Sequence, residues 1–259
     1  MARITVLGGT GYGGEAVVRE AARRGHAVTS YSRRPPEQPV DGVTYVHGSL
    51  LDADLLARSV READVVFEAL SPRGDMQGKV EGIVDELIRL ADGSGVRLGV
   101  LGGASSMLVS ENGPRLFDTA ETAPEILPEV QTGLDVLETL KNAPATLDWF
   151  YVSPAASFGA WVDAPVTGAY RLSDDVLLTD ADGKSEISGA DLAQAVVDEI
   201  EQPRYRRRVS VRDVEPPAPA VCRPLPGVGR RRDEGRPGSR RRRRGRAGIP
   251  RRRPGRAGA

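Results

Sequence analysis

The feature that most constrains this chain is RITVLGGTGYGG, Arg3 to Gly14, where a β-branched run breaks into five glycines within seven residues. Ile4, Val6 and Leu7 read as a buried strand, and the residues after Gly14 read as a helix. Gly9, Gly11 and Gly14 satisfy G-x-G-x-x-G, and Gly8, Gly11 and Gly14 satisfy the variant G-x-x-G-x-x-G. Glycine permits the tight turn, lets backbone approach a pyrophosphate, and lets the helix pack close to its strand. The helix start then offers its unpaired N–H groups to the anion.

Alone, such a loop reads equally well as a glycine-rich turn without a ligand. Its surroundings favour the dinucleotide. A helix with Ala16, Val17 and Ala21 inward follows from Glu15 to Arg24, stops at Gly25, and gives way to a second strand, Ala27 to Tyr31. That is a β-α-β unit of about the thirty residues expected. Beyond the second strand come Ser32, Arg33 and Arg34, with no carboxylate where an NAD-selective fold places one. The expectation is NADP(H) preferred, with Arg33 on the 2′-phosphate and Ser32 in support, and NAD(H) left open. Read plainly, the same arginines are a solvated loop.

Further strands are expected at Val43 to His47, Asp64 to Leu70, Val96 to Leu101 and Leu147 to Ser153, with helices between them near 52–61, 80–91 and 128–142. This alternation predicts an α/β fold, a Rossmann-type doubly wound parallel sheet with a small C-terminal substrate-side region at about 155–185. The helix at 80–91 is the plainest, with Val80, Ile83, Val84, Leu87, Ile88 and Ala91 on one stripe. Glu68, near the end of a buried strand, is expected to point into the cleft. Gly102 to Ser106 are small residues at a strand's carboxyl end, so Ser105 is the candidate catalytic residue, although Ser105 and Ser106 serve equally well as turn residues. Residues 108–126 read as a rim over the cleft. Ala169 to Leu172 and Val176 to Leu178 suggest a hairpin, Ser188 to Asp191 a capping box, and Val209 to Val211 a last strand.

His26 and His47 have no second ligand at metal spacing, and no metal site is expected. No apolar run approaches a membrane span and no signal peptide precedes the first strand, so a cytoplasmic location is expected. The sole cysteine, Cys222, excludes an internal disulfide. The zero net charge conceals two opposites: residues 1–214 carry 21 basic and 33 acidic side chains, whereas 215–259 carry 15 arginines against three acids. The first part is read as one nucleotide-binding domain and the second as a disordered Arg/Gly/Pro-rich tail. Three readings of the tail compete: an inert extension, an arm for non-specific polyanion binding, and an out-of-frame translation of GC-rich DNA. The abrupt change in composition favours the last as origin and the first as behaviour.

Taken together, VLGGTGYGG, SRRP, VFEALSP, VLGGAS, LDWFYVSPAA and ISGADLAQAVVDEIE resemble the atypical short-chain dehydrogenase/reductases. Within them the chain is most similar to the NAD(P)H-binding group of NADH-flavin reductase type, related to NmrA-type regulators and biliverdin reductase B. The resemblance spans about Ala2 to Val214. It implies that Gly8, Thr10, Gly11, Tyr12 and Gly14 hold the pyrophosphate and Arg33 the adenosine end, with Leu70 and Ser71 along the cofactor and Ser105 and Pro154 near the nicotinamide. The sequence departs from the group at Gly48-Ser49, where Gly-Asp is usual, and at Glu68, where a small polar residue is usual.

No Y-x-x-x-K occurs, which disfavours a conventional alcohol dehydrogenase or epimerase. The expected activity is hydride transfer from NADPH to a flavin, quinone or similar aromatic acceptor, with a non-catalytic NmrA-like redox sensor as the alternative. A nucleic-acid-associated role driven by the tail is a weaker third. Monomer and homodimer are both left open.

Overall fold

The computed structural model describes residues 1–213 except Ala120 and 206–208, with residues 209–213 described as backbone. The expected domain border at 214 and the arginine-rich tail lie outside the described residues. The elements, in chain order, are β1 (Arg3–Leu7), α1 (Tyr12–Arg23), β2 (Ala27–Ser32), β3 (Thr44–His47), α2 (Ala53–Arg61), β4 (Val65–Glu68) and α3 (Val80–Ala91). There follow β5 (Arg97–Leu101), α4 (Leu127–Lys141), β6 (Trp149–Ser153), β7 (Tyr170–Ser173), α5 (Gly189–Glu201) and β8 (Val209–Asp213).

These strands form one sheet in the order β3-β2-β1-β4-β5-β6-β8-β7, parallel except for β7. The order reverses beside β1, since the chain runs outward through β2 and β3 and returns to place β4 on the other flank. Such a switch point opens a crevice at the carboxyl ends of the strands. Both faces are covered, so the central strands are apolar on both sides. Ile4, Val6, Phe67 and Phe150 pack on one face with Val17, Val18, Val196 and Val197 of α1 and α5. Leu7, Val66, Leu98 and Trp149 pack on the other with Ile83, Leu87 and Leu137 of α3 and α4. The apolar stripe read for residues 80–91 is the buried face of α3, residue for residue.

Two local expectations are corrected. The run 176–178 is not the second arm of a hairpin: β7 pairs antiparallel with β8, Tyr170 opposite Asp213 and Ser173 opposite Ser210. Ser173 Oγ accepts from Val176 N, which turns the chain toward residue 108, and Val176 forms an isolated parallel bridge with Leu108. A short run pairs with whichever edge the fold leaves open, and adjacency in sequence does not decide which.

The capping box is half formed. Ser188 Oγ accepts from Asp191 N, but the Asp191 carboxylate accepts from Ser188 Oγ, Thr167 N, Thr167 Oγ1 and Gly168 N, tying the 167–168 loop to the start of α5. His26 is a packing residue: Nδ1 accepts from Ala2 N at 3.2 Å and Nε2 donates to Glu201 at 2.9 Å.

Candidate functional site

At the carboxyl edge of β1, β4, β5 and β6 lies a cleft of about 1100 Å³. Its first wall is the loop from β1 into α1. Gly8 turns the chain at φ +84°, and a Cβ there would stand 2.6 Å from the carbonyl oxygen of Ala69, so only glycine fits between β1 and β4. Gly11 N donates to Gly8 O at 3.0 Å, which closes the turn. Gly14 lies inside the first turn of α1, where a Cβ would meet Gly8 O at 2.4 Å. Gly14 thus lets the helix seat on the loop and does not itself line the cleft, whereas Gly8, Thr10, Gly11 and Tyr12 do. The N-cap Gly11 supplies no side chain to the first-turn amides of α1. Those of Tyr12, Gly13 and Gly14 have no intrahelical acceptor either, a donor set suited to an anion.

Tyr12 has a second task. Its hydroxyl accepts from Gly189 N at 2.9 Å, and its ring lies 5.1 Å from that of Phe158. The side chain therefore ties the start of α1 to the start of α5 and to the loop after β6.

On the β2 side, Ser32 and Arg33 line the cleft and Arg34 does not. Ser32 Oγ donates to Arg34 O at 2.6 Å, so its proton is engaged locally. Arg33 pairs through one terminal nitrogen with Asp75, on the single helical turn Gly74–Met76 that follows β4. Burial of neither partner is deep, with side chains 52% and 70% exposed, so an incoming phosphate can compete for the guanidinium. Leu50 and Met76 give this end an apolar floor.

Leu70 and Ser71 form the middle of the cleft, at the end of β4. Beneath them Glu68 is only 1% exposed and does not line the cleft, contrary to the expectation from sequence. Its Oε1 accepts from Leu70 N at 2.7 Å, and burial pushes its pKa up to about 8, with the Leu70 bond opposing in part. An acid there braces the cleft floor from below.

Gly102, Ser105 and Pro154 line the far end. At Gly102 a Cβ would fall 1.8 Å from the ring of Tyr151, which fills the space under the strand end. Tyr151 itself accepts from Gly103 N at 3.3 Å and donates to Gly133 O at 3.0 Å. Ser105 sits on a turn, Ala104–Ser106, directly on the cleft wall. The remaining walls are Leu116, Ile126, Val130, Phe158 and Trp161, most from the segments read as rim and substrate side.

Sequence reasoning passed over Arg73, Glu129, Phe158 and Trp161. These stand on separate loops and a helix start with no mutual spacing to mark them, and only the tertiary fold brings them to one rim. Arg33, Arg73 and Glu129 are the charged side chains among the described residues that line the cleft. No helix among the described residues is long and apolar enough to cross a membrane.

Comparison with known proteins agrees with this geometry. The profile of the NAD(P)H-binding family matches residues 8–203. The uncharacterized protein YwnB of Bacillus subtilis is 32% identical over 206 residues, covering 79% of this chain and 94% of its own. A solved structure from Streptococcus pneumoniae, provisionally assigned as an NADH-flavin reductase, superposes with a TM-score of 0.73 at 28% identity, covering 83% of this chain and 100% of that one. A short-chain dehydrogenase/reductase from Veillonella parvula, solved with NADP, shares the fold at a TM-score of 0.61 and 18% identity, over 83% of this chain and 97% of that one. The glycine loop, the switch-point cleft and these likenesses converge: the chain belongs to the NAD(P)H-binding family.

Proposed function

We propose that the protein is an NADPH-dependent reductase that passes a hydride to a planar aromatic acceptor of the flavin or quinone class. One observation carries the reading. A cleft joins a glycine cradle and an arginine at one end to an apolar chamber at the other, and among the described residues no tyrosine paired with a lysine, the pair carbonyl reduction uses, lines it. Tyr151 gives its hydroxyl proton to Gly133 O, the Tyr12 oxygen is held by Gly189 N, Glu129 is paired with Arg73, and no lysine among the described residues lines the cleft. An acceptor whose own ring supplies the electrophile and takes its proton from water has no need of such a pair.

In this reading the nicotinamide nucleotide supplies the hydride, and the chain's residues bind and orient. The first-turn amides of α1 take the pyrophosphate, Arg33 takes the 2′-phosphate and so favours NADPH over NADH, and Leu50 and Met76 floor the adenosine end. Gly102 and Gly103, held flat over Tyr151, leave room for two rings to lie face to face within about 3.5 Å. Ser105 donates a hydrogen bond at that level, and Phe158 and Trp161 narrow the chamber against water. A cleft of about 1100 Å³ exceeds what one drug-sized ligand fills.

Anaerobic stopped-flow mixing of the NADPH-loaded protein with a panel of flavins and quinones tests the proposal. The expected result is single-turnover loss of NADPH absorbance with at least one acceptor of each planar class. Tight NADPH binding without turnover of any acceptor would overturn it in favour of a non-catalytic sensor.

A further inference from the structure

Arg73 stands at the mouth of the cleft on the segment between β4 and α3, held from two other segments. Its Nε donates to the Glu129 carboxylate on α4, and its guanidinium lies over the indole of Trp161, 5.2 Å from the ring centroid. Trp161 is 70% exposed, unusual for so large an apolar side chain. Its ring folds over Gly159, where a Cβ would come within 2.3 Å of it, and a larger residue would evict it. An exposed indole fixed in this way acts as a platform for the cation.

The two terminal nitrogens of Arg73 have no hydrogen-bond partner among the described residues. Elsewhere arginines commonly give two nitrogens to one acid: Arg3, Arg19, Arg23, Arg89 and Arg115 each give Nε and a terminal nitrogen to a neighbouring carboxylate. At Arg73 the Nε edge fixes the side chain and the other edge is left facing the cleft mouth. Residues 1–214 carry 12 more acids than bases, so a cation with donors to offer is set against the charge of its own domain. Two parallel N–H groups of this kind match a phosphate's oxygens.

We propose that Arg73, oriented by Glu129 and Trp161, is the subsite for a phosphate carried by the acceptor, and hence that the acceptor is a flavin mononucleotide and not the unphosphorylated flavin. This rests on the reductase reading for the word acceptor; the subsite itself is tested by binding alone.

The test compares FMN with riboflavin on the full chain, wild type against Arg73→Gln and Arg73→Lys. Binding is read from quenching of flavin fluorescence with the protein held in saturating NADP⁺, and turnover from NADPH oxidation. Wild type should bind FMN at least about 10-fold more tightly than riboflavin, the size of one charge-assisted contact. Arg73→Gln should bring FMN to the riboflavin value and leave riboflavin unchanged. Arg73→Lys, a point charge without the fork, should fall between them. The Kd for NADPH should not move.

Equal wild-type affinity for the two flavins would overturn the subsite while leaving the reductase reading standing. Loss of NADPH affinity in Arg73→Gln, with the flavin ratio intact, would overturn it by assigning Arg73 to the cofactor. Arg73-dependent FMN binding without turnover would uphold the subsite and remove the reductase reading.

Discussion

Glu68 and Asp191 are two carboxylates buried to the same degree, each 1% exposed, and the protein treats them in opposite ways. Asp191, in the first turn of α5, accepts from Ser188 Oγ, Thr167 N, Thr167 Oγ1 and Gly168 N. Glu68, at the end of β4, accepts among the described residues only from Leu70 N. The neighbouring helix starts differ in the same sense. α5 is capped by Ser188 and anchored by Tyr12, whereas α1 begins at a glycine with no capping side chain. Buried Ser30 Oγ on β2 and Ser153 Oγ on β6 also lack a partner among the described residues. Where polar groups saturate one another the fold is being held; where the first-turn amides of α1 are left open on the cleft wall, it is prepared for an anion to arrive.

The largest expected effect is a pH dependence set by Glu68. Burial raises the Glu68 pKa to about 8 from an ordinary 4.5, so between those values the folded chain keeps a proton that the unfolded chain has released. The stability this gives is complete below about pH 4.5 and is lost as pH rises through 8. At about 1.36 kcal/mol per unit the whole window is worth at most 4–5 kcal/mol. Glu68→Gln should flatten the fall in Tm between pH 6 and 8.5 seen by calorimetry. A slope unchanged in the variant would mean that Glu68 is not the titrating group.

Next come the glycines, which divide holding from receiving within one loop. Gly14→Ala places a methyl 2.4 Å from Gly8 O and should cost about 1–3 kcal/mol of stability together with NADPH affinity. At Gly11 the nearest atom to a new Cβ is Gly8 O at 3.4 Å, so Gly11→Ala should lower stability by less than about 1 kcal/mol. Its methyl would nevertheless occupy the face an anion must approach, and NADPH affinity should drop at least about 10-fold, near 1.4 kcal/mol. Calorimetric binding alongside thermal unfolding reads both. A Gly11→Ala protein that binds as wild type would show that α1 does not receive the pyrophosphate. A smaller shift is expected at Arg33: Arg33→Gln should reduce the ratio of NADPH to NADH affinity several-fold, with NADH binding untouched.

The receiving side was legible from sequence wherever backbone geometry imposes composition. Five glycines within seven residues and the apolar stripe of α3 each follow from a local rule, and the fold they imply is the one found. The holding side was less so. Asp191 announces a helix start, but that its carboxylate would reach Thr167 and Gly168 depends on how β7 meets β8. Arg73, Glu129 and Trp161 follow no shared period, and nothing short of the folded chain joins them. Glu68 misled for a physical reason: a carboxylate in a buried strand was expected to seek solvent, and it settles instead for one backbone amide and a raised pKa.

The smallest effect tests the comparison from its other end. Ser188 Oγ accepts from Asp191 N and donates to the Asp191 carboxylate, so Ser188→Ala removes the cap of α5 and one of four donors to a buried acid. Losing a helix N-cap costs about 1 kcal/mol, and three donors remain to keep Asp191 solvated by the protein. Tm should fall by a few degrees while the NADPH Kd stays fixed, because Tyr12 still meets Gly189 N and the cleft wall keeps its place. That outcome is the mirror of Gly11→Ala, in which binding is the main loss and stability falls less. If instead Ser188→Ala weakens NADPH, the start of α5 is coupled to the cleft through Tyr12, and the two helix starts form one device.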